Sequence, residues 1–139
     1  MKWILPVIIG LSLSLSLLTS GCSDPVAPAT PTPVLPTITE TFDDTLLVAG
    51  SNSHTFNVQQ VGGLKVSIAN VTPSAAVNLA VGTQSSVSGC IVINNLTAVA
   101  GSTAQISGTA TVPGTFCVLV SDVGNLVEPV TYTVTVSHS

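Results

Sequence analysis

Hydrophobic and polar residues alternate with a period of two along most of the chain after residue 37, which is typical of strands with one buried face. No stretch of useful length has a helical period. The alternating or continuously apolar stretches, separated by turn residues, are residues 38–48, 54–59, 64–69, 77–81, 90–93, 104–112, 116–120 and 130–136. The pattern therefore predicts an all-β domain, a single antiparallel β-sandwich of seven or eight strands.

Several of these stretches carry more specific signals. Residues 54–59 and 64–69 flank Gly62-Gly63, which predicts a hairpin with a glycine turn. The strand at residues 77–81 is expected to end at Gly82. The run Cys90-Ile91-Val92-Ile93 is continuously apolar, so we expect a buried strand there.

The N-terminus has the features of a secretory signal peptide, which we assign to residues 1–21. Met1-Lys2 gives a positive start, and residues 3–18 are apolar but shorter than the roughly 20 residues of a membrane-spanning helix. The following Leu18-Thr19-Ser20-Gly21-Cys22 resembles the bacterial lipobox, in which small residues precede a cysteine that is acylated and becomes residue one. The alternative is an ordinary signal peptide cleaved nearby, which leaves Cys22 as a plain thiol.

An acylated Cys22 predicts attachment to a membrane through a lipid anchor with two or three acyl chains. Ser23 rather than Asp would follow Cys22, and in lipoproteins of diderm bacteria this favours the outer membrane. Residues 22–36 contain prolines at positions 25, 28, 31, 33 and 36, so we expect an extended linker of at most about 40 Å. The folded domain is then predicted at residues 37–139.

Charged residues make up only 6% of the chain: two Lys and no Arg, against six residues that are Asp or Glu. A net charge of −4 argues against a nucleic-acid partner, because phosphate binding needs clustered basic residues. The apolar residues of the domain are mostly Val and Ala among Thr and Ser, which is a β-sheet composition rather than a set of membrane spans.

The chain has three cysteines, and with Cys22 assigned to the anchor only Cys90 and Cys117 remain. Both lie in predicted strands of an exported protein, where disulfides persist. This favours a Cys90–Cys117 bridge, and the alternative is a pair of buried free cysteines.

The order of the strand motifs resembles that of the bacterial pre-peptidase C-terminal domain. The motifs that carry the resemblance are Gly114-Thr115-Phe116-Cys117-Val118-Leu119-Val120, Tyr132-Thr133-Val134-Thr135-Val136, Thr55-Phe56-Asn57-Val58, Gly63-Leu64-Lys65-Val66-Ser67-Ile68 and Asn78-Leu79-Ala80-Val81. The resemblance covers residues 40–137 and implies a jelly-roll-like sandwich of the kind appended to secreted enzymes. Some members bind calcium, collagen or polysaccharide, but Asn78 stands where the family has an acidic residue.

Few residues of the chain offer catalytic or metal-binding chemistry. Neither His54 nor His138 accompanies a Gly-x-Ser-x-Gly nucleophile motif, so we expect both to be solvated, with His138 in a frayed terminus, and we expect no enzymatic activity. No cofactor is expected. The acidic residues that offer weak candidates for calcium ligands are Glu40, Asp43, Asp44 and Asp122. The alternative is a solvated edge strand and loop, with Asp122-Val123-Gly124-Asn125 as a turn in which Gly124 takes a positive φ.

Together these observations predict a lipid-anchored lipoprotein of the cell envelope whose non-catalytic sandwich is a binding or accessory module. Its partner is expected to be an envelope protein or polysaccharide. The alternative function is a structural spacer or assembly subunit without a specific ligand.

Overall fold

A computed structural model describes Val34 and residues 36–139 of the chain. This part contains eight strands: β1 (Ile38–Leu46), β2 (Ser51–Val58), β3 (Gly62–Thr72), β4 (Val77–Ser85), β5 (Gly89–Ala98), β6 (Ala104–Ala110), β7 (Gly114–Asp122) and β8 (Val130–His138). They belong to a compact unit that spans Pro33–Ser139. The signal peptide, Cys22 and most of the linker that the sequence predicts lie outside the described residues. Within the described residues, no helix is long and apolar enough to cross a membrane.

The eight strands form two four-stranded antiparallel sheets with the orders β1-β8-β3-β6 and β2-β7-β4-β5. Strands that follow each other along the chain mostly lie in different sheets, and this connectivity is the jelly-roll form of the β-sandwich. The predicted fold class is therefore confirmed. The edges β1 and β2 meet on one side of the sandwich, and the edges β5 and β6 meet on the other.

The core lies between the sheets and is filled by alternate residues of each strand. In β8 the residues Tyr132, Val134 and Val136 are buried while their neighbours are more exposed, as the alternation predicts. The opposite sheet contributes inward residues in the same way. Its largest contributors are Phe56, Val58, Val77, Leu79, Phe116, Val118 and Val120.

The hairpin predicted around Gly62-Gly63 is wrong. Strand β2 pairs with β7, whereas β3 pairs with β6 and β8, so the short connection after Val58 crosses from one sheet to the other. Gly62 and Gly63 are the first two residues of β3 rather than a turn. Both strands bury alternate residues in the shared core, and a period of two does not reveal which neighbour supplies the hydrogen bonds.

Strand β4 does not end at Gly82, contrary to the sequence prediction. It continues to Ser85, and the register of β4 and β5 shifts between Val81 and Gly82. A Cβ atom on Gly82 would collide with the carbonyl oxygen of Ile91, so the glycine permits a close approach of β5. Gly82 therefore marks an irregularity inside the strand instead of its end.

Candidate functional site

The side of the sandwich where β1 meets β2 contains a network of aromatic and ionisable side chains. We call this the β1–β2 seam and define it by Glu40, Phe42, Asp44, His54, Tyr132 and His138. The His54 ring stacks on Phe42 with a centroid distance of 4.9 Å, and its Nε2 lies 3.0 Å from the Tyr132 hydroxyl. The same Nε2 lies 3.5 Å from Oδ2 of Asp44. His54 thus links β1, β2 and β8.

Tyr132 is the inner member of this network. Its side chain is almost fully buried on β8, and burial raises the pKa of the phenol to about 12. The negative charge of Asp44 adds to the rise, because a second nearby anion is unfavourable. The phenol therefore stays protonated at neutral pH and has its proton available for the hydrogen bond with His54.

His138 lies at the other end of the β1–β2 seam, and its side chain is only 1% exposed. Its Nε2 lies 3.1 Å from Oε1 of Glu40, and its ring packs against Phe56 at a centroid distance of 5.6 Å. The expectation of two solvated histidines with a frayed His138 is wrong. The last strand is anchored in the sheet by pairing with both β1 and β3, which places a polar residue near the chain end inside the core.

The structure does not bring the four acidic calcium candidates together. Glu40 and Asp44 point toward the seam, whereas Asp43 lies on the opposite face of β1 and accepts a hydrogen bond of 2.6 Å from the Thr133 hydroxyl. This separation follows from the alternation of faces along a strand. Among the residues that the structure describes, no group of three or more His, Cys, Asp or Glu side chains is arranged to hold a metal ion.

Asp122, the fourth candidate, organises the loop after β7. Its Oδ1 accepts hydrogen bonds from the backbone N–H groups of Gly124, Asn125 and Leu126, and its Oδ2 accepts one from Ala49. Desolvation raises the pKa of Asp122, but these four donors lower it by more, so it lies below the ordinary value of 3.8. With Gly124 at a φ of +88°, the turn predicted here from the sequence is confirmed.

The predicted bridge between Cys90 and Cys117 is present, with the two Cα atoms 5.7 Å apart. Cys117 is fully buried on β7, and Cys90 lies at the beginning of β5. Strand β4 runs between β7 and β5 in the sheet. The bridge therefore ties the edge strand β5 to the centre of the sheet, beside the close approach that Gly82 permits.

Strand β5 does not contain the buried apolar run that its sequence predicts. Ile91 is 50% exposed and Ile93 is 68% exposed, with Val92 between them at 42%. Val87, in the turn that leads into β5, is 92% exposed. We call these four residues the β5 surface. They are exposed because β5 is the last strand of its sheet and has one neighbour, β4.

The β5 surface also lacks the residues that usually protect an edge strand. Natural edges carry charged side chains or prolines, which prevent pairing with other strands. Strand β1, at the opposite edge of the other sheet, has Glu40, Asp43 and Asp44, whereas β5 has no charged residue and no proline. The sequence offers no charge signal that singles out β5, because residues 66–121 contain no Lys, Arg, Asp or Glu, and the edge strands β2 and β6 also lack these residues. The exposed Ile91, Val92 and Ile93 distinguish β5 from those edges.

Comparisons with known proteins relate this fold to solved structures. Neither a model of a protein family nor the sequence of a curated protein matches the chain. The structure is similar to the pre-peptidase C-terminal domain of a collagenase from Bacillus anthracis, with a TM-score of 0.55 and 19% identity over 71% of this chain and 89% of that one. It is also similar to a mitogen from Yersinia pseudotuberculosis, with a TM-score of 0.54 and 13% identity over 73% and 86%.

At these identities the likeness concerns the fold alone. The chain contains a jelly-roll β-sandwich that is similar to a pre-peptidase C-terminal domain, which supports the resemblance noted in the strand motifs. The mitogen shares the architecture, so the same sandwich also occurs in a protein of a different kind. What this domain does has to be argued from its own surface.

Proposed function

We propose that this protein is a lipid-anchored lipoprotein of the cell envelope, held through Cys22 in the outer membrane, whose β-sandwich is a non-catalytic module that binds a protein partner through the β5 surface. The exposed and uncharged β5 edge is the observation that carries the binding role. Such an edge can accept a strand from another protein, with main-chain hydrogen bonds for affinity and apolar side chains for complementarity.

The contacts that the two histidines make support a non-catalytic role. Through Nε2, His54 contacts Tyr132 and His138 contacts Glu40, and both contacts hold strands of the sandwich together. A general base needs hydrogen-bond reach to a nucleophile or to the substrate proton. His54 Nε2 contacts the buried phenol of Tyr132 and His138 Nε2 contacts a carboxylate, so neither contact pairs the ring with a Ser, Thr or Cys nucleophile.

The aromatic residues favour a protein partner over a polysaccharide. Sugar rings are commonly bound on exposed aromatic side chains, whose faces offer a flat apolar platform. The aromatic side chains of the described residues are instead directed inward: Phe56, Phe116 and Tyr132 are buried, and Phe42 packs against the core and His54. The exposed apolar residues are aliphatic, which suits contacts with protein side chains.

The binding role is tested by photo-crosslinking in whole cells. A photoreactive amino acid at position 91 of the full chain should give a saturable adduct with an envelope protein, and the same group at Thr41 on β1 should not. Position 41 is an apt control because it is also exposed on an edge strand. Equal adducts at both positions contradict a specific β5 surface, and no adduct at either favours the structural spacer.

The anchor is tested separately through Cys22. The sequence Ser20-Gly21-Cys22 supports acylation, so a Cys22→Ser variant should lose incorporation of labelled palmitate and leave the membrane fraction. Globomycin, which inhibits lipoprotein signal cleavage, should cause accumulation of the uncleaved wild-type chain. Unchanged membrane partition of the variant contradicts the lipid anchor but leaves the β5 surface unaffected.

A further inference from the structure

A cavity of about 150 Å³ lies between the two sheets on the side where β5 meets β6. Its walls come from both sheets, so it opens into the gap between them rather than along the surface of one. The apolar side chains that line it are Leu64, Val66, Val81, Ile93, Ile106 and Phe116.

The cavity is open to solvent at a glycine of β6. Ile106 and Ala110, two residues before and after Gly108, lie on the same face of the strand and are both buried, but Gly108 itself is exposed. Gly108 pairs with Leu64 of β3 and lines the cavity. A Cβ atom added to Gly108 would have no other atom within 4 Å. The absence of a side chain at Gly108 therefore leaves the mouth of the cavity open.

The lining determines the chemistry of a ligand. None of the ten residues around the cavity is charged, and the polar side chains among them, Asn94, Ser107 and Thr109, come from the edge strands. A charged group placed inside would lose its hydration without gaining an ion pair, which is strongly unfavourable. An apolar cavity of roughly 150 Å³ is known to accept benzene or xenon.

We propose that this cavity is a binding site for a small, uncharged, apolar molecule about the size of a benzene ring. The ring would lie among Val66, Ile106 and Phe116, and the mouth between β5 and β6 would be its entrance. This site goes beyond the proposed function, because it takes a small molecule inside the sandwich and its binding is measured with no protein partner present. Ile93 lines the cavity and also belongs to the β5 surface.

The test uses benzene as the probe and the full chain as the cell makes it, held in lipid nanodiscs if it is acylated. Benzene should shift the methyl NMR signals of Val66 and Ile106. At a free concentration ten times the dissociation constant, it should lower the unfolding equilibrium constant about eleven-fold. A Gly108→Val variant, which places a side chain in the open mouth of the cavity, should lose both effects, and Gly108→Ala should lose them in part.

Gly63→Val is the matched control. A Cβ atom on Gly63 also has no atom within 4 Å, but this residue is exposed on the outward face of β3. The Gly63→Val variant should bind benzene as the wild type does. Because all proteins are measured in identical nanodiscs, partition of benzene into the lipid is the same for each and cancels in the comparison. Benzoate, the same ring with a carboxylate, should not bind. The proposal is overturned if wild-type methyl signals do not respond to benzene, if Gly108→Val binds as well as Gly63→Val, or if benzoate binds equally.

Discussion

The β1–β2 side and the β5–β6 side of the sandwich are lined by different kinds of side chain. At the β1–β2 seam, ionisable groups and aromatic rings connect the sheets: His54 of β2 reaches Tyr132 and Asp44, and the His138 ring packs against Phe56. Within one sheet, His138 also joins β8 to Glu40 of β1. On the β5–β6 side, the gap is bordered by aliphatic side chains and contains the cavity beside Gly108. One side is fixed by directional contacts, and the other is uncharged and accessible.

This difference shows how one fold combines a fixed edge with a surface for recognition. Hydrogen bonds have narrow ranges of distance and angle, so a network of them defines the position of the first and last strands. Carboxylates on β1 also discourage pairing with another chain. Apolar contacts are not directional, so β5 can accept partners without breaking bonds of the fold.

The largest expected effect concerns the disulfide, which adds a covalent link from β5 to β7 beyond the pairing of β5 with β4. Replacing both cysteines in a Cys90→Ala/Cys117→Ala variant should lower the free energy of unfolding by about 3 kcal/mol, because the bridge restricts the unfolded chain. Chemical denaturation measures this loss. Hydrogen exchange should become faster in β5 and stay slow in β1.

The control for this variant is Ser88→Ala/Thr115→Ala, two exposed positions close to the cysteines in the sequence. It should change the free energy of unfolding by less than about 0.5 kcal/mol. The prediction is contradicted if the two double variants lose the same free energy of unfolding. It is also contradicted if loss of the bridge accelerates hydrogen exchange equally in β1 and β5.

A smaller effect is expected at the β1–β2 seam and depends on pH. The folded-state pKa of Tyr132 is about 12, above the ordinary value of 10, so the protonated phenol stabilises the fold fully below pH 10. This contribution is lost as the pH rises from 10 toward 12, and the free energy of unfolding should fall by about 2 kcal/mol over that range. Urea denaturation at several pH values measures the slope.

Tyr132→Phe provides the comparison because it removes the ionisable group and keeps the ring. The variant is expected to be less stable at neutral pH, since His54 loses its partner, but its stability should depend less on pH above 10. All other groups titrate in both proteins, so the difference between the two slopes isolates Tyr132. Identical slopes would show that the phenol does not contribute.

The smallest effect on stability is expected at the β5 surface. An Ile91→Lys variant should change the free energy of unfolding by no more than about 0.5 kcal/mol, because the side chain is half exposed. The positive charge introduced at position 91 should also abolish the adduct that a photoreactive amino acid at position 93 forms with the envelope protein. Thr41→Lys on β1 is the control and should leave that adduct intact. An adduct that survives Ile91→Lys contradicts the proposed role of this edge.

The sequence predicted those parts of the fold that depend on local pattern. The alternation of Tyr132, Val134 and Val136 gave β8 its buried face, and Asp122 with Gly124 gave the turn after β7, because both signals lie within a few neighbouring residues. The likeness to a pre-peptidase C-terminal domain followed from the order of such motifs and agrees with the solved collagenase domain.

The β5 surface, the position of His138 and the cavity could not be predicted from the sequence. Ile91 and Ile93 have the residue types of a buried strand, and only the position of β5 at the end of its sheet exposes them. His138 looked like a frayed terminal residue until pairing with two strands placed it in the core. Gly108 stands between Ile106 and Ala110 on the same face of β6, but the sequence alone does not show that a cavity lies between this face and the opposite sheet.

The sequence by itself predicted the buried face of strands such as β8, a total of seven or eight strands and a Cys90–Cys117 bridge, because these follow from a period of two, from turn residues and from the two cysteines that remain once Cys22 is assigned to the anchor. Only the tertiary structure decided which strands are neighbours and which edges meet. These relations join residues such as Glu40 and His138, which lie 98 positions apart. The packing of whole sheets selects such pairs, and no local pattern encodes that choice.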